Sequence, residues 1–238
     1  MMFYRTYKYA THSNYNHFCV KPNQSFVTGW FSLVAAAHGA TKVYSFEPNL
    51  QNTVRFCESL SLNRWLHDDR SRDVVIPISK GAGNKNERKS FYQGDGISSP
   101  GSYTFKKAFS VEKEPIGELE VTMLDSFAER HGWFDSKPSI GFFKLDVERF
   151  EPEVFEGADR LLKSRLIEKI AMEVKPNLSS EQQFKMVQTL FDGGYELVMH
   201  GGMTGPHKPV TKTYGAGEEL AADIFNMKYE ENLLFQLK

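Results

Sequence analysis

Between residues 24 and 78 the spacing of apolar residues switches repeatedly between extended and helical, and this alternation constrains the fold more than any other feature. A short extended run at 24–27 precedes a helical stretch, 29–40, in which Phe31, Val34 and Ala35 share a face. Gly39 stands where a helix C-terminal cap belongs. An extended run at 41–46 follows, then a helix over 50–62 with Leu50, Val54, Cys57 and Ser61 on one stripe and Leu60 beside it. Residues 74–78 form another short apolar strand. Strand, helix, strand, helix, strand in so short a span is the pattern of a doubly wound parallel sheet.

The second half continues in the same style after an interruption. From 81 to 118 glycines alternate with polar residues, and Ser98-Ser99-Pro100-Gly101 reads as a turn. A structureless loop of that length is uncommon in a compact domain, so some hairpin content is expected there. Strands are expected at 119–123, 140–146, 168–174, 195–199 and 232–236, and helices at 152–163 and 181–191. Pro152 suits a first helical turn, and Ser179 with Gln182 makes a capping box. One domain over 23–238, with the 81–118 excursion and an irregular segment at 1–22, is the organisation this pattern implies.

Two strands end on acids. The apolar run 140–143 leads into Lys144-Leu145-Asp146-Val147-Glu148-Arg149-Phe150-Glu151, and the strand at 41–46 leads into Glu47-Pro48-Asn49. In an open α/β sheet the ligand crevice lies beyond the carboxyl ends of the strands, so acids placed there point to a ligand. Glu47 follows Gly29 by eighteen residues, close to the spacing at which an acid captures the ribose hydroxyls of an adenine nucleotide. A solvent-facing or helix-capping acid is the plain alternative. A dinucleotide fits less well, because the turn at 25–29 offers one glycine where a pyrophosphate needs several.

Composition excludes several classes. The formal net charge of -1 creates no global attraction for nucleic acid, and Lys106 with Lys107 reads as solvated surface. No apolar run approaches the length of a membrane span or a signal peptide, and two cysteines, Cys19 and Cys57, make no disulfide framework. A cytoplasmic location is therefore expected. The seven histidines show no metal-ligand spacing, and only His200, before Gly201-Gly202, falls at a strand end facing the crevice. No Gly-x-Ser-x-Gly elbow is present.

The chain resembles the FkbM-type methyltransferases, within the class I S-adenosylmethionine-dependent enzymes. The resemblance is carried by Phe31-Ser32-Leu33, by Val43-Tyr44-Ser45-Phe46-Glu47-Pro48-Asn49, by Leu124-Asp125-Ser126-Phe127, and by Lys144-Leu145-Asp146-Val147-Glu148 with Gly157-Ala158. Glu173 and Leu234-Phe235 also match. It implies a Rossmann-like, mostly parallel seven-stranded sheet with an antiparallel last strand, S-adenosylmethionine as cofactor, and O-methyl transfer to a small or sugar-containing acceptor. By position, Gly29, Glu47, Asn49, Ser79 and Asp146 look like cofactor-binding residues, and Asp146 and Glu148 look like the catalytic acids. Glu148 is the preferred base if Asp146 holds the cofactor's amino group, and Glu173 reaches the acceptor or pairs with Lys144.

The chain departs from the family pattern in two places. Where the family reads Asp-x-Gly-Ala-Asn-x-Gly, this chain has Asn23, Ser25, Phe26 and Val27, and only Gly29 remains. Arg149 replaces a usual glycine. Bulk at Phe26 and Val27 leaves open a non-catalytic scaffold that has lost the donor site, and a nicotinamide-dependent oxidoreductase is a further alternative.

Overall fold

The computed structural model describes residues 2–5, 29–66, 73–93, 103–104, 114–147, 150–174, 180–202, 208–209, 219–220 and 231–238. It is a mixed α/β fold. The larger sheet is built from β1 (Met2–Arg5), β2 (Lys42–Phe46), β3 (Val75–Ile78), β8 (Phe142–Leu145), β9 (Lys169–Val174), β10 (Tyr195–Gly202), β11 (Lys208–Pro209) and β12 (Glu231–Leu237). Their order is β11-β10-β12-β9-β8-β1-β2-β3. The smaller sheet, ordered β4-β7-β5-β6, comprises β4 (Gly81–Ala82), β5 (Glu87–Gln93), β6 (Tyr103–Thr104) and β7 (Gly117–Thr122). It supplies the hairpin content expected of the glycine-rich excursion.

The expected seven-stranded, mostly parallel sheet needs correction on both counts. Among the described residues the main sheet has eight strands. Within that sheet, among the described residues, only β2–β3 and β8–β9 are parallel strand pairs. Those two pairs are joined by helical crossovers, which parallel neighbours require. The largest departure is β1, which lies between β2 and β8 and runs antiparallel to both. It falls within the segment read as irregular, whereas the strand expected at 24–27 lies outside the described residues.

Side-chain alternation along the strands feeds two cores. Val43 and Phe142 join Ala35, Phe56, Leu60 and Val75 around α1 (Trp30–Ala37) and α2 (Leu50–Leu62). Tyr44, Phe46, Phe143 and Leu145 join the other cluster, with side chains from α3 (Leu124–Arg130), α4 (Trp133–Ser136), α5 (Glu151–Glu156), α6 (Asp159–Lys163) and α7 (Ser180–Asp192). Tyr44, Phe127, His131 and Trp133 interlock there, Phe127 stacking on His131 at 4.0 Å between ring centroids.

Local details explain where the helices turn and stop. After α1, Gly39 adopts φ +88°, and the N–H groups of Gly39 and Ala40 donate to the Ala36 and Ala35 carbonyls. This is the left-handed cap the sequence announced. In α2 the buried residues are Thr53, Phe56 and Leu60, while Leu50 and Val54, placed on the inward stripe by periodicity, are exposed. Phe56 sets the rotation, because its ring packs where a Gly29 side chain would stand.

The single helix expected at 152–163 is two, α5 and α6, broken at Gly157. A Cβ on Gly157 would collide with the Gly83 carbonyl oxygen, so the chains touch backbone to backbone. Asp125 then closes the break. Its carboxylate accepts the N–H groups of Arg160 at 3.0 Å and Leu161 at 2.8 Å, capping α6 from a distant element.

Candidate functional site

Two clusters of polar residues form where the strands end. At the tips of β2 and β3, Glu47, Asn49, Thr53 and Ser79 come together. The Thr53 hydroxyl lies within hydrogen-bond distance of the Glu47 and Asn49 carbonyls, and the Ser79 hydroxyl reaches Thr53 at 3.5 Å. One Glu47 carboxylate oxygen accepts the Asn49 N–H at 2.9 Å. Burial pushes the Glu47 pKa up, and the Asn49 N–H and the Asn52 side chain only partly offset this. Ser79 is exposed beside it.

Asn49 has a structural task. It is buried as the N-cap of α2, and its side-chain oxygen accepts the N–H groups of Gln51 at 2.8 Å and Asn52 at 3.4 Å. That oxygen is committed to the helix.

Gly29 also has a structural explanation. It caps α1 with φ +79°, accepts the Ser32 and Leu33 N–H groups, and turns its hydrogen face toward Phe56. The absence of a side chain serves α1–α2 packing here, with no ligand needed to explain it.

The second cluster follows β8. Lys144, whose residue is 8% exposed, extends its ammonium to within 3.2 Å of the Asp146 carboxylate and 4.7 Å from the centroid of the Phe31 ring. Asp146 keeps 38% of its side chain accessible. Glu173, which is 6% exposed, stands beside it on the neighbouring strand. The strand register explains the meeting: Leu145 pairs with Met172, so Asp146 lies opposite Glu173 one residue on. Surrounding protein disfavours the Asp146 charge, but the charge and hydrogen bond of Lys144, with a smaller part from Glu173, outweigh it and lower its pKa.

The two clusters are separated by β1, two strand spacings or about 10 Å. Glu148, the other expected catalytic acid, and Arg149 lie outside the described residues. His200 is on β10, three strand spacings or about 14 Å from β8, and the fold does not bring it to these acids. A groove of about 180 Å³ between α5 and α7, lined by Glu153, Glu156, Lys185 and Met186 among others, is built from elements that carry none of them. The sequence reading missed Lys144 as the partner of Asp146 and Phe31 as a neighbour of Lys144. The signal was available for Lys144, since positions two apart on a strand share a face.

No described helix is long and apolar enough to cross a membrane. Among the described residues no group of three or more His, Cys, Asp or Glu side chains is placed to hold a metal.

No curated protein matches the chain. A crystal structure of methyltransferase FkbM from Methylobacillus flagellatus KT aligns with 87% of this chain at 16% identity and a TM-score of 0.44. The aligned region spans 40% of that longer chain. The family model described as "Methyltransferase FkbM domain" matches residues 16–197. With the acids at the strand tips lying inside that match, the chain belongs to the FkbM methyltransferase family.

Proposed function

We propose that this protein transfers a methyl group from S-adenosylmethionine to a hydroxyl oxygen of a small or sugar-containing acceptor. The observation that carries the reading is the pair of acids, Glu47 and Asp146, at strand tips on either side of one central strand. The domain is read as 23–238, the location as cytoplasmic, and no nucleic-acid partner is expected. The antiparallel pairing of β12 with β9 agrees with the sheet that the family resemblance implies.

The donor set fits the cofactor's chemistry. Glu47 is a carboxylate with one oxygen oriented by the Asn49 N–H, suited to receive a ribose hydroxyl, and the exposed Ser79 hydroxyl borders the same tip. Asp146 has a lowered pKa, which makes it a weak base and a good partner for an ammonium group. We therefore assign it to the amino group at the methionine end, with Glu148 as the base for the acceptor hydroxyl. When bound, S-adenosylmethionine supplies an electrophilic methyl carbon. The protein's task is then to align the acceptor oxygen, remove its proton and exclude water.

The non-catalytic reading keeps one specific observation in its favour. β1 runs antiparallel, so Arg5 lies beside Lys42 at the start of β2 and away from the acid-bearing tips. The tight strand-to-helix turn typical of nucleotide sites is therefore not formed by β1 and α1. Isothermal titration with S-adenosylmethionine and S-adenosylhomocysteine separates the two readings. Micromolar-range binding that Glu47→Ala weakens at least tenfold is the expected result. Absence of binding at millimolar ligand would overturn methyl transfer in favour of the scaffold.

A further inference from the structure

The Lys144–Asp146 ion pair differs from surface pairs of this chain in where its cation lies. Pairs such as Lys80–Glu120 and Lys163–Asp159 keep 42% or more of each side chain exposed. Lys144 keeps 11% and Asp146 38%, at the carboxyl end of β8. Burying an ammonium costs desolvation that a single carboxylate seldom repays, so stability is a poor reason to place one there.

Local structure sets the pair under α1. Phe142, two residues before Lys144, packs into the cluster that holds Ala35 of α1, and alternation sends Lys144 to the same side. There the Phe31 ring, in the first turn of α1, lies 4.7 Å from the ammonium and steadies the cation without accepting its charge. An ammonium has three N–H donors and a carboxylate about four acceptor sites, so the single bond at 3.2 Å uses a fraction of each. A positive and a negative group therefore stand side by side, both with hydrogen-bonding capacity in reserve.

An α-amino-acid group carries the same two charges, with one carbon between its ammonium and its carboxylate. Laid against Lys144 and Asp146 in the opposite order, each of its charges meets an opposite one, and the protein's own ion pair stays intact. We propose that Lys144 and Asp146 together receive an α-amino-acid zwitterion, Lys144 binding its carboxylate and Asp146 its ammonium. The proposal rests on the methyl-donor reading, which assigns Asp146 to the amino group at the methionine end. It adds Lys144 as a binding residue and Phe31 as the residue that positions Lys144.

Isothermal titration with S-adenosylhomocysteine, its decarboxylated analogue and 5′-methylthioadenosine, which has no amino-acid group, tests this. The wild type is expected to bind S-adenosylhomocysteine about tenfold or more tighter than either of the others. Lys144→Met is expected to abolish the preference for the carboxylate while leaving 5′-methylthioadenosine within about twofold, and Lys144→Arg to retain most of that preference. Phe31→Leu is expected to weaken S-adenosylhomocysteine alone. Equal loss of all three ligands in Lys144→Met, or no loss of any, would overturn the proposal. If Lys144→Met does not fold, the wild-type ranking and Phe31→Leu decide. Equal binding of the three ligands by the wild type overturns the zwitterion site and leaves the donor pocket standing. No binding of any of them overturns the methyl-donor reading, and the proposal with it.

Discussion

Gly157 shows how one residue ties a sequence signature to the fold. Its α-carbon stands against the Gly83 carbonyl, where a methyl group has no room, and the helix breaks there into α5 and α6. Gly157→Ala is expected to destabilise the protein by about 2–3 kcal/mol, an overpacking cost borne by backbone that cannot rotate away. Denaturant unfolding measures it, and a change within experimental error would show that the contact relaxes. Glycine at this position was legible as part of the family pattern. The reason for it was not, because Gly83 lies far away in sequence and only the fold brings the two together.

At the scale of an element, α2 separates a capping role from a ligand role. Asn49 accepts two backbone N–H groups at its start, so Asn49→Ala is expected to cost about 1 kcal/mol. Asn49→Asp preserves the acceptor and should unfold within about 0.5 kcal/mol of the wild type. Equal losses in both variants would show that the cap is not what Asn49 contributes. The helix itself was read correctly from its spacing, but its inward face was not. Leu50 and Val54 are exposed and Thr53 and Phe56 are buried. Periodicity reports that a helix has an apolar side; the rotation was decided by Phe56 packing against the bare face of Gly29.

Across the whole molecule, the two acid clusters pull the pH dependence of stability in opposite directions. The Asp146 pKa is lowered in the fold, so its contribution is present above the ordinary value of 3.8 and disappears as pH falls through the depressed folded value. The Glu47 pKa is raised, so its contribution is present below 4.5 and disappears as pH rises through the elevated folded value. Glu47→Gln is therefore expected to raise the melting temperature near neutral pH by about 1–2 °C, while weakening donor binding. Asp146→Asn should lower the melting temperature near neutral pH and flatten the loss of stability in acid. Thermal melts from pH 3 to pH 8 on both variants check the signs; shifts in the same direction would contradict the assignment.

What the sequence determined by itself was local or periodic: an α/β chain, most of its strands and helices, the Gly39 cap, and acids at the ends of two strands. These follow from interactions spanning a few residues, and alternation and spacing report such interactions directly. Tertiary structure decided the rest. Strand order and direction depend on pairing between segments distant in sequence, so nothing in Met2–Arg5 announced an antiparallel strand between β2 and β8. The same holds within the site. Asp146 and Glu173 belong to neighbouring parallel strands whose register places them opposite each other, and their shared environment exists only once the sheet has formed.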